Sequence, residues 1–141
     1  MIDSFDGDYE FLSNFYVHPV TVWGKTYAST EHAFQAAKAT NDADHEKVRR
    51  CGSPGQAKRM GRAIPCRADW DRVKEDVMLD CLRAKFAPGS ELAERLLTTG
   101  SKKLVEGNHW GDVYWGVCRG KGKNRLGHLL MLVRSELQEA V

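Results

Sequence analysis

The sequence predicts a mainly helical α+β fold in a single domain over residues 1–141, with a small β-hairpin near the N-terminus and few other strands. Three observations lead there. Capped segments with helical apolar spacing recur from residue 29 to the C-terminus. Runs rich in β-branched and aromatic residues are confined to 20–23 and 26–28. The length of 141 residues, with 42% hydrophobic and 28% charged, suits one domain that can bury a core without disulfides or metal.

Residues 1–19 read as irregular, with Gly7, Asn14 and Pro19 as breakers. They are dense in rings: Phe5, Tyr9, Phe11, Phe15 and Tyr16 surround Leu12-Ser13-Asn14. Rings beside small hydrogen-bonding side chains suit the cap of a core, or a flat, polar-edged ligand such as a nucleobase. Gly24-Lys25 then splits two β-rich runs, and Gly at the first loop position signals a type II′ hairpin.

The hairpin delivers the chain into a helix over 28–39. Ala33, Ala36, Ala37 and Ala39 favour it, and Ser29 or Thr30 can cap it. Glu31, Gln35 and Lys38 stand at i, i+4 and i+7. At about 100° per residue, the latter two fall within roughly 40° of Glu31, on one stripe. Such a stripe is usually apolar. An acid, an amide and an amine there mean either a solvated face with charge pairing or a chemical site.

Further helices follow. Asn41 or Asp42 caps one that runs through Cys51, and Ser53-Pro54 starts another that ends near Gly61. Lys58, Arg59 and Arg62 make its basic face, with Arg49, Arg50 and Arg67 near in sequence. That face is a solvated surface or a site for phosphate and nucleic-acid backbone. The longest helix spans 69–86, with Trp70, Val73, Val77, Cys81 and Leu82 as its buried stripe. Ser90 caps the next, stopped at Gly100.

After an extended segment at Leu104-Val105-Glu106, Trp110, Asp112, Tyr114 and Trp115 lie among Gly107, Gly111 and Gly116. Glycine permits close backbone approach, and the rings offer stacking faces. Gly120-Lys121-Gly122-Lys123-Asn124 leads into a terminal amphipathic helix, which predicts an anion site at that helix start. The order of Gly and Lys is not that of a Walker A loop.

Net charge is +2, so a polyanion would have to be held by a local patch. No apolar run has membrane-spanning length, and the acidic start lacks the pattern of a signal peptide, so the expectation is a cytoplasmic protein without membrane contact. Four cysteines show no C-x-x-C pair, and five histidines show no ligand spacing. No metal and no cofactor are expected.

Four ordered motifs carry a family resemblance. Phe11-Leu12-Ser13-Asn14-Phe15, Ser29-Thr30-Glu31-His32-Ala33-Phe34-Gln35-Ala36-Ala37-Lys38, Trp110-Gly111-Asp112-Val113-Tyr114-Trp115-Gly116 and Gly122-Lys123-Asn124-Arg125-Leu126-Gly127 resemble the NADAR, or YbiA-like, family over essentially the whole chain. The resemblance implies an N-glycosidase. It implies two substrate groups: ADP-ribose on guanine in nucleic acid, removed by enzymes paired with an ADP-ribosyltransferase toxin, and ribosylamino-pyrimidine phosphates of early riboflavin synthesis. In both, ribose C1 bears an exocyclic amine of a guanine-like ring. The Trp110–Trp115 segment and the basic helix favour ADP-ribosyl-guanine as the expected substrate.

An exocyclic N-glycoside can open its sugar to an imine, which a lysine amine can attack. On this reading Lys38 is the nucleophile, Glu31 the proton carrier, and Asp112 orients sugar hydroxyls or activates water. Direct hydrolysis between Glu31 and Asp112 is the alternative, with Lys38 holding phosphate. Ser13, Asn14 and Gln35 read polar edges. Phe15, Trp110, Trp115 and Gly116 take the ring. Lys123 and Asn124 hold a phosphate, and Lys58, Arg59 and Arg62 hold a backbone. A non-catalytic nucleotide-binding module is the reading from another class.

Overall fold

The computed structural model describes residues 1–140, and the fold is mainly helical with two small sheets. The chain forms two compact units, one of Asn14–Lys85 and one of Met1–Ser13 with Phe86–Val141.

In the unit Asn14–Lys85, strands β1 (Val17–Val22) and β2 (Lys25–Ser29) pair antiparallel. Their loop differs from the type II′ expectation. Val22 pairs with Lys25, so the two loop residues are Trp23 and Gly24, with φ of 54° and 77°. Two consecutive positive φ values make a type I′ turn, whose twist matches the strands; Gly24 fills the second position without strain. Tyr27 and Lys25 tie the hairpin to α2 (Asp42–Arg49) through Tyr27 Oη–His45 Nε2 (2.6 Å) and Lys25–Glu46 (3.3 Å).

Strand β2 runs directly into α1 (Thr30–Ala36), with Ser29 as N-cap, its Oγ accepting the His32 backbone N–H at 3.2 Å. Helix α1 packs against α2, α3 (Pro54–Ala63), α4 (Trp70–Lys85) and the hairpin. Every residue of α1 is buried. Ser53 caps α3 with Pro54 in its first turn, as the sequence predicts, but α3 runs past Gly61 to Ala63. The His32 ring bridges Ser29 Oγ (2.7 Å) and the Cys51 carbonyl (2.9 Å), which satisfies a buried polar ring within the scaffold.

In the other unit, residues 7–12 form a 3₁₀ helix (Gly7–Leu12) where an irregular segment was expected. Phe11 meets Phe86 edge-on at 6.5 Å, and the Arg95 guanidinium lies 4.3 Å from the Phe11 ring centre. Helices α5 (Glu91–Thr98) and α6 (Arg125–Glu139) pack together with Leu96, Leu104, Leu126, Leu130 and Val133 buried. Two-residue strands β3 (Gly107–Asn108) and β4 (Val117–Cys118) pair in parallel, and Ile2 bridges Leu104. No described helix is long and apolar enough to cross a membrane.

Candidate active site

The Asn14–Lys85 unit holds eight of the fifteen predicted residues. Glu31 and Gln35 are 7% and 5% exposed, so the α1 stripe is not a solvated face. Gln35 Nε2 donates to Glu31 Oε2 at 2.7 Å, which fixes both side chains. The Glu31 backbone N–H donates to the Asn14 carbonyl at 3.0 Å, placing the buried Asn14 beside the start of α1. Two buried oxygens here, Asn14 Oδ1 and Gln35 Oε1, accept no hydrogen bond, and neither does Thr30 Oγ1. An orphaned buried acceptor costs about 1–3 kcal/mol, so Thr30 and Gln35 on the Glu31 helix and the neighbouring Asn14 form a cluster that a donor-bearing ligand would relieve.

Lys38 is placed differently from the expectation. Helix α1 stops at Ala36, and Lys38 lies in a tightened turn, its N–H donating to the Gln35 carbonyl at 3.2 Å. It is half-buried, with Nζ 5.8 Å from the Trp70 ring centre, and Trp70 stacks obliquely on Phe34 at 5.1 Å. The Lys38 carbonyl accepts the Arg67 N–H at 2.8 Å, and Arg67 is held by two bonds to Asp69, at 2.6 and 2.9 Å. Burial pushes the Lys38 amine below the ordinary lysine range; the charges of Glu31 and Cys66 oppose this, and those of Arg62 and Lys58 add to it. Lys58 also sits 5.8 Å from the centre of the Phe15 ring, which is 43% exposed. Arg59 and Arg62 are exposed.

Gly61 has a positional role that the sequence does not announce. A Cβ there would lie 2.9 Å from Gln35 Cδ and overlap Gln35 Oε1. Gly61→Ala is therefore expected to displace Gln35 from Glu31, destabilise the fold by about 1–3 kcal/mol and lower kcat. Urea midpoints and turnover measured on the same preparation check this.

The other unit holds the remaining predicted residues, and several do structural work. Asp112 Oδ1 accepts the backbone N–H groups of Tyr114 (3.1 Å) and Trp115 (2.9 Å), an Asx-type turn that shapes the loop. Asn108 closes the same loop, its Oδ1 accepting from Asp112 N (3.1 Å) and its Nδ2 donating to Asp112 O (2.9 Å) and Glu106 Oε2 (3.0 Å). Gly116 is required because a Cβ would collide with the Glu106 carboxylate, so its packing is internal. Trp115 meets Tyr114 edge-on at 4.9 Å, whereas Trp110 is 56% exposed. Ser13 is half-buried.

The expected anion site at the start of α6 is corrected. The N–H groups of Lys123, Asn124, Arg125 and Leu126 donate to the carbonyls of Val113, Gly116, Tyr114 and Trp115, at 2.8, 3.3, 3.0 and 2.9 Å. The donors that would cradle a phosphate are consumed by the loop. Asn124 is left-handed (φ 52°), and its side chain accepts from Glu106 N and donates to Leu104 O, each at 2.9 Å. It anchors the loop through its side-chain oxygen and its amide N–H. Lys123 is exposed, with Nζ 5.4 Å from the Tyr114 ring centre. Glu106, which sequence reasoning passed over, is the hub of this unit. Its partners lie up to 18 residues away, so no local spacing signals it.

No group of three or more His, Cys, Asp or Glu among the described residues could hold a metal ion.

The model of the NADAR domain matches residues 3–138. The chain is 49% identical over 133 residues to N-glycosidase YbiA of Escherichia coli K12, covering 92% of this chain and 82% of that one. It is 41% identical over 137 residues to a Vibrio vulnificus riboflavin biosynthesis protein, covering 95% of this chain but 37% of that one. The NMR structure of E. coli YbiA superimposes with a TM-score of 0.87 at 45% identity, covering 99% of this chain and 88% of that chain. With the family model spanning nearly all of its residues and the same fold in a close relative, this chain belongs to the NADAR family.

Proposed function

We propose that the protein is an N-glycosidase that cleaves the bond between ribose C1 and an exocyclic amine of a guanine-like base. The observation that carries this is the buried Glu31–Gln35 pair beside a half-buried Lys38 whose amine is depressed below its usual range. A binding module has no need of a lysine made easier to deprotonate. The names of relatives, N-glycosidase and riboflavin biosynthesis protein, support the reaction class and move the first choice of substrate to ribosylamino-pyrimidine phosphates. ADP-ribosyl-guanine, first favoured from the sequence, remains the second reading, supported by the exposed Arg59 and Arg62 and by Lys58.

The sugar ring opens, leaving an imine between C1 and the base nitrogen. Neutral Lys38 Nζ adds to C1, the base departs as a free amine after Glu31 delivers a proton, and a C1–Lys38 imine remains. Water adds to C1, and hydrolysis frees the aldehyde sugar and the lysine. Lys58 and Arg62 are proposed to hold phosphate.

The first test is incubation with a ribosylamino-pyrimidine phosphate and, separately, with single-stranded DNA carrying ADP-ribose on guanine, read by mass spectrometry. Release of free base from either substrate supports the reading; two unchanged substrates would sink it. A second expectation concerns pH. The rate should rise with pH and level off below the ordinary lysine range, as the depressed Lys38 loses its proton. Glu31→Gln removes the charge that raises the Lys38 pKa, so its acid limb should move to lower pH while its plateau kcat drops by about 10²–10⁴-fold. An unchanged limb would show that Glu31 does not act on Lys38.

A further inference from the structure

Lys38 reaches from the turn after α1 toward Trp70, the first residue of α4. Its Nζ lies over the face of the indole, 5.8 Å from the ring centre, within the distance at which such a face attracts a cation. Both partners of this contact are held by one short circuit inside the Asn14–Lys85 unit. The Arg67 N–H donates to the Lys38 carbonyl at 2.8 Å, and the Trp70 N–H donates to the Arg67 carbonyl at 3.2 Å. Two bonds from the Arg67 guanidinium to Asp69, at 2.6 and 2.9 Å, stiffen the link. The Trp70 ring then packs obliquely on buried Phe34, with centres 5.1 Å apart, which closes the circuit on the helix that carries Glu31. Trp70 is thus set against Lys38 through its backbone and through its ring.

In the proposed reaction Nζ is neutral when it attacks. Its electron pair forms the bond to C1 while the imine pair passes to the base nitrogen, so positive charge appears on Nζ. The base nitrogen takes one proton from Glu31 and one from Nζ and leaves with the C1–N bond pair. Nζ ends in a cationic C1=Nζ imine. Resting on that scheme, we infer that the face of Trp70 stabilises the positive charge that forms on Lys38 Nζ during the covalent step. An attraction absent from the neutral amine and present in the cation lowers the barrier rather than merely tightening substrate binding. The same face favours the resting ammonium. It acts there with the charges of Glu31 and Cys66, against burial and the charges of Lys58 and Arg62. The two effects separate with pH. Above the Lys38 titration the attacking amine is already neutral, and the whole gain appears in the rate. Below it the lysine must first lose a proton that the ring helps to hold, and the gain cancels.

Placing mono-, di- and trifluorotryptophan at position 70 drains charge from the indole face and nearly keeps its shape. With a ribosylamino-pyrimidine phosphate as substrate, plateau kcat should fall stepwise along that series, by about 2–30-fold in total. The acid limb should move stepwise to lower pH, and rates well below the limb should coincide. Trp70→Leu, which fills space without a π face, should lose at least as much on the plateau, and Trp70→Phe should recover part of the loss. A flat plateau across the fluorinated series, or an equal loss at every pH, overturns the inference. Amine-selective labelling of the resting protein, read at Lys38 against pH by peptide mass spectrometry, checks the contact without turnover, and its limb should also follow fluorination. Lys38→Ala separates this role from the scheme beneath it. Lost turnover in that variant with a flat fluorinated series removes the role of Trp70 and leaves the lysine scheme standing. Near-normal turnover in Lys38→Ala removes the scheme and the catalytic role of Trp70 together, even where labelling follows fluorination.

Discussion

Lys38→Ala is expected to reduce turnover by at least about 10³-fold, with little change in stability, because it removes the proposed nucleophile rather than a packing group. The side chain is only half-buried and its nearest described ring, Trp70, stays packed on Phe34. The loss should fall on kcat more than on KM. Borohydride reduction during turnover should covalently join wild-type protein to the sugar at Lys38. The alanine variant should give no such adduct. An adduct on another residue would relocate the nucleophile, and near-normal turnover by Lys38→Ala would rule out the imine route.

A second lysine should dominate the alkaline stability profile. Lys85 closes α4, is 3% exposed, and is depressed by burial to about 7, against an ordinary value of 10.5. The Tyr16 ring, with its centre 5.8 Å from Nζ, offers the ammonium a weak attraction that burial outweighs. Between pH 7 and 10.5 the unfolded chain binds this proton more tightly than the folded one. Folding stability should therefore rise with pH across that window, and below it the charged lysine destabilises the fold by a constant amount. The total change is on the order of several kcal/mol. Urea midpoints of wild type and Lys85→Met, followed from neutral pH to pH 10, should diverge in slope, with the rise confined to wild type. Parallel curves would show that Lys85 has no such depressed value.

Local signals along the chain carry much of this molecule. Ser29, Asn41, Ser53 and Ser90 each cap the helix that their side chains announce, because a cap needs only the next three residues. The hairpin and the helical class follow from the same short-range rules, and the Glu31–Gln35 pairing follows from the four-residue repeat of a helix. Where local rules compete, placement shifts by a residue or a turn. Thus the hairpin loop is Trp23-Gly24, and α1 ends before Lys38.

Long-range contacts set the rest. Burial turns a polar stripe into a candidate active site and lowers the Lys38 amine, and no pattern in 28–39 states how much of that stripe water reaches. Gly61 matters because Gln35, 26 positions earlier, occupies the space its side chain would need. The Gly120–Asn124 loop looks like an anion cradle until residues 113–116 fold back and take its amides. Glu106 has no motif of its own. Its importance comes from Gly116 and Asn124, which only the folded chain brings to it, together with the nearby Asn108, and a carboxylate's chemistry depends on what surrounds it.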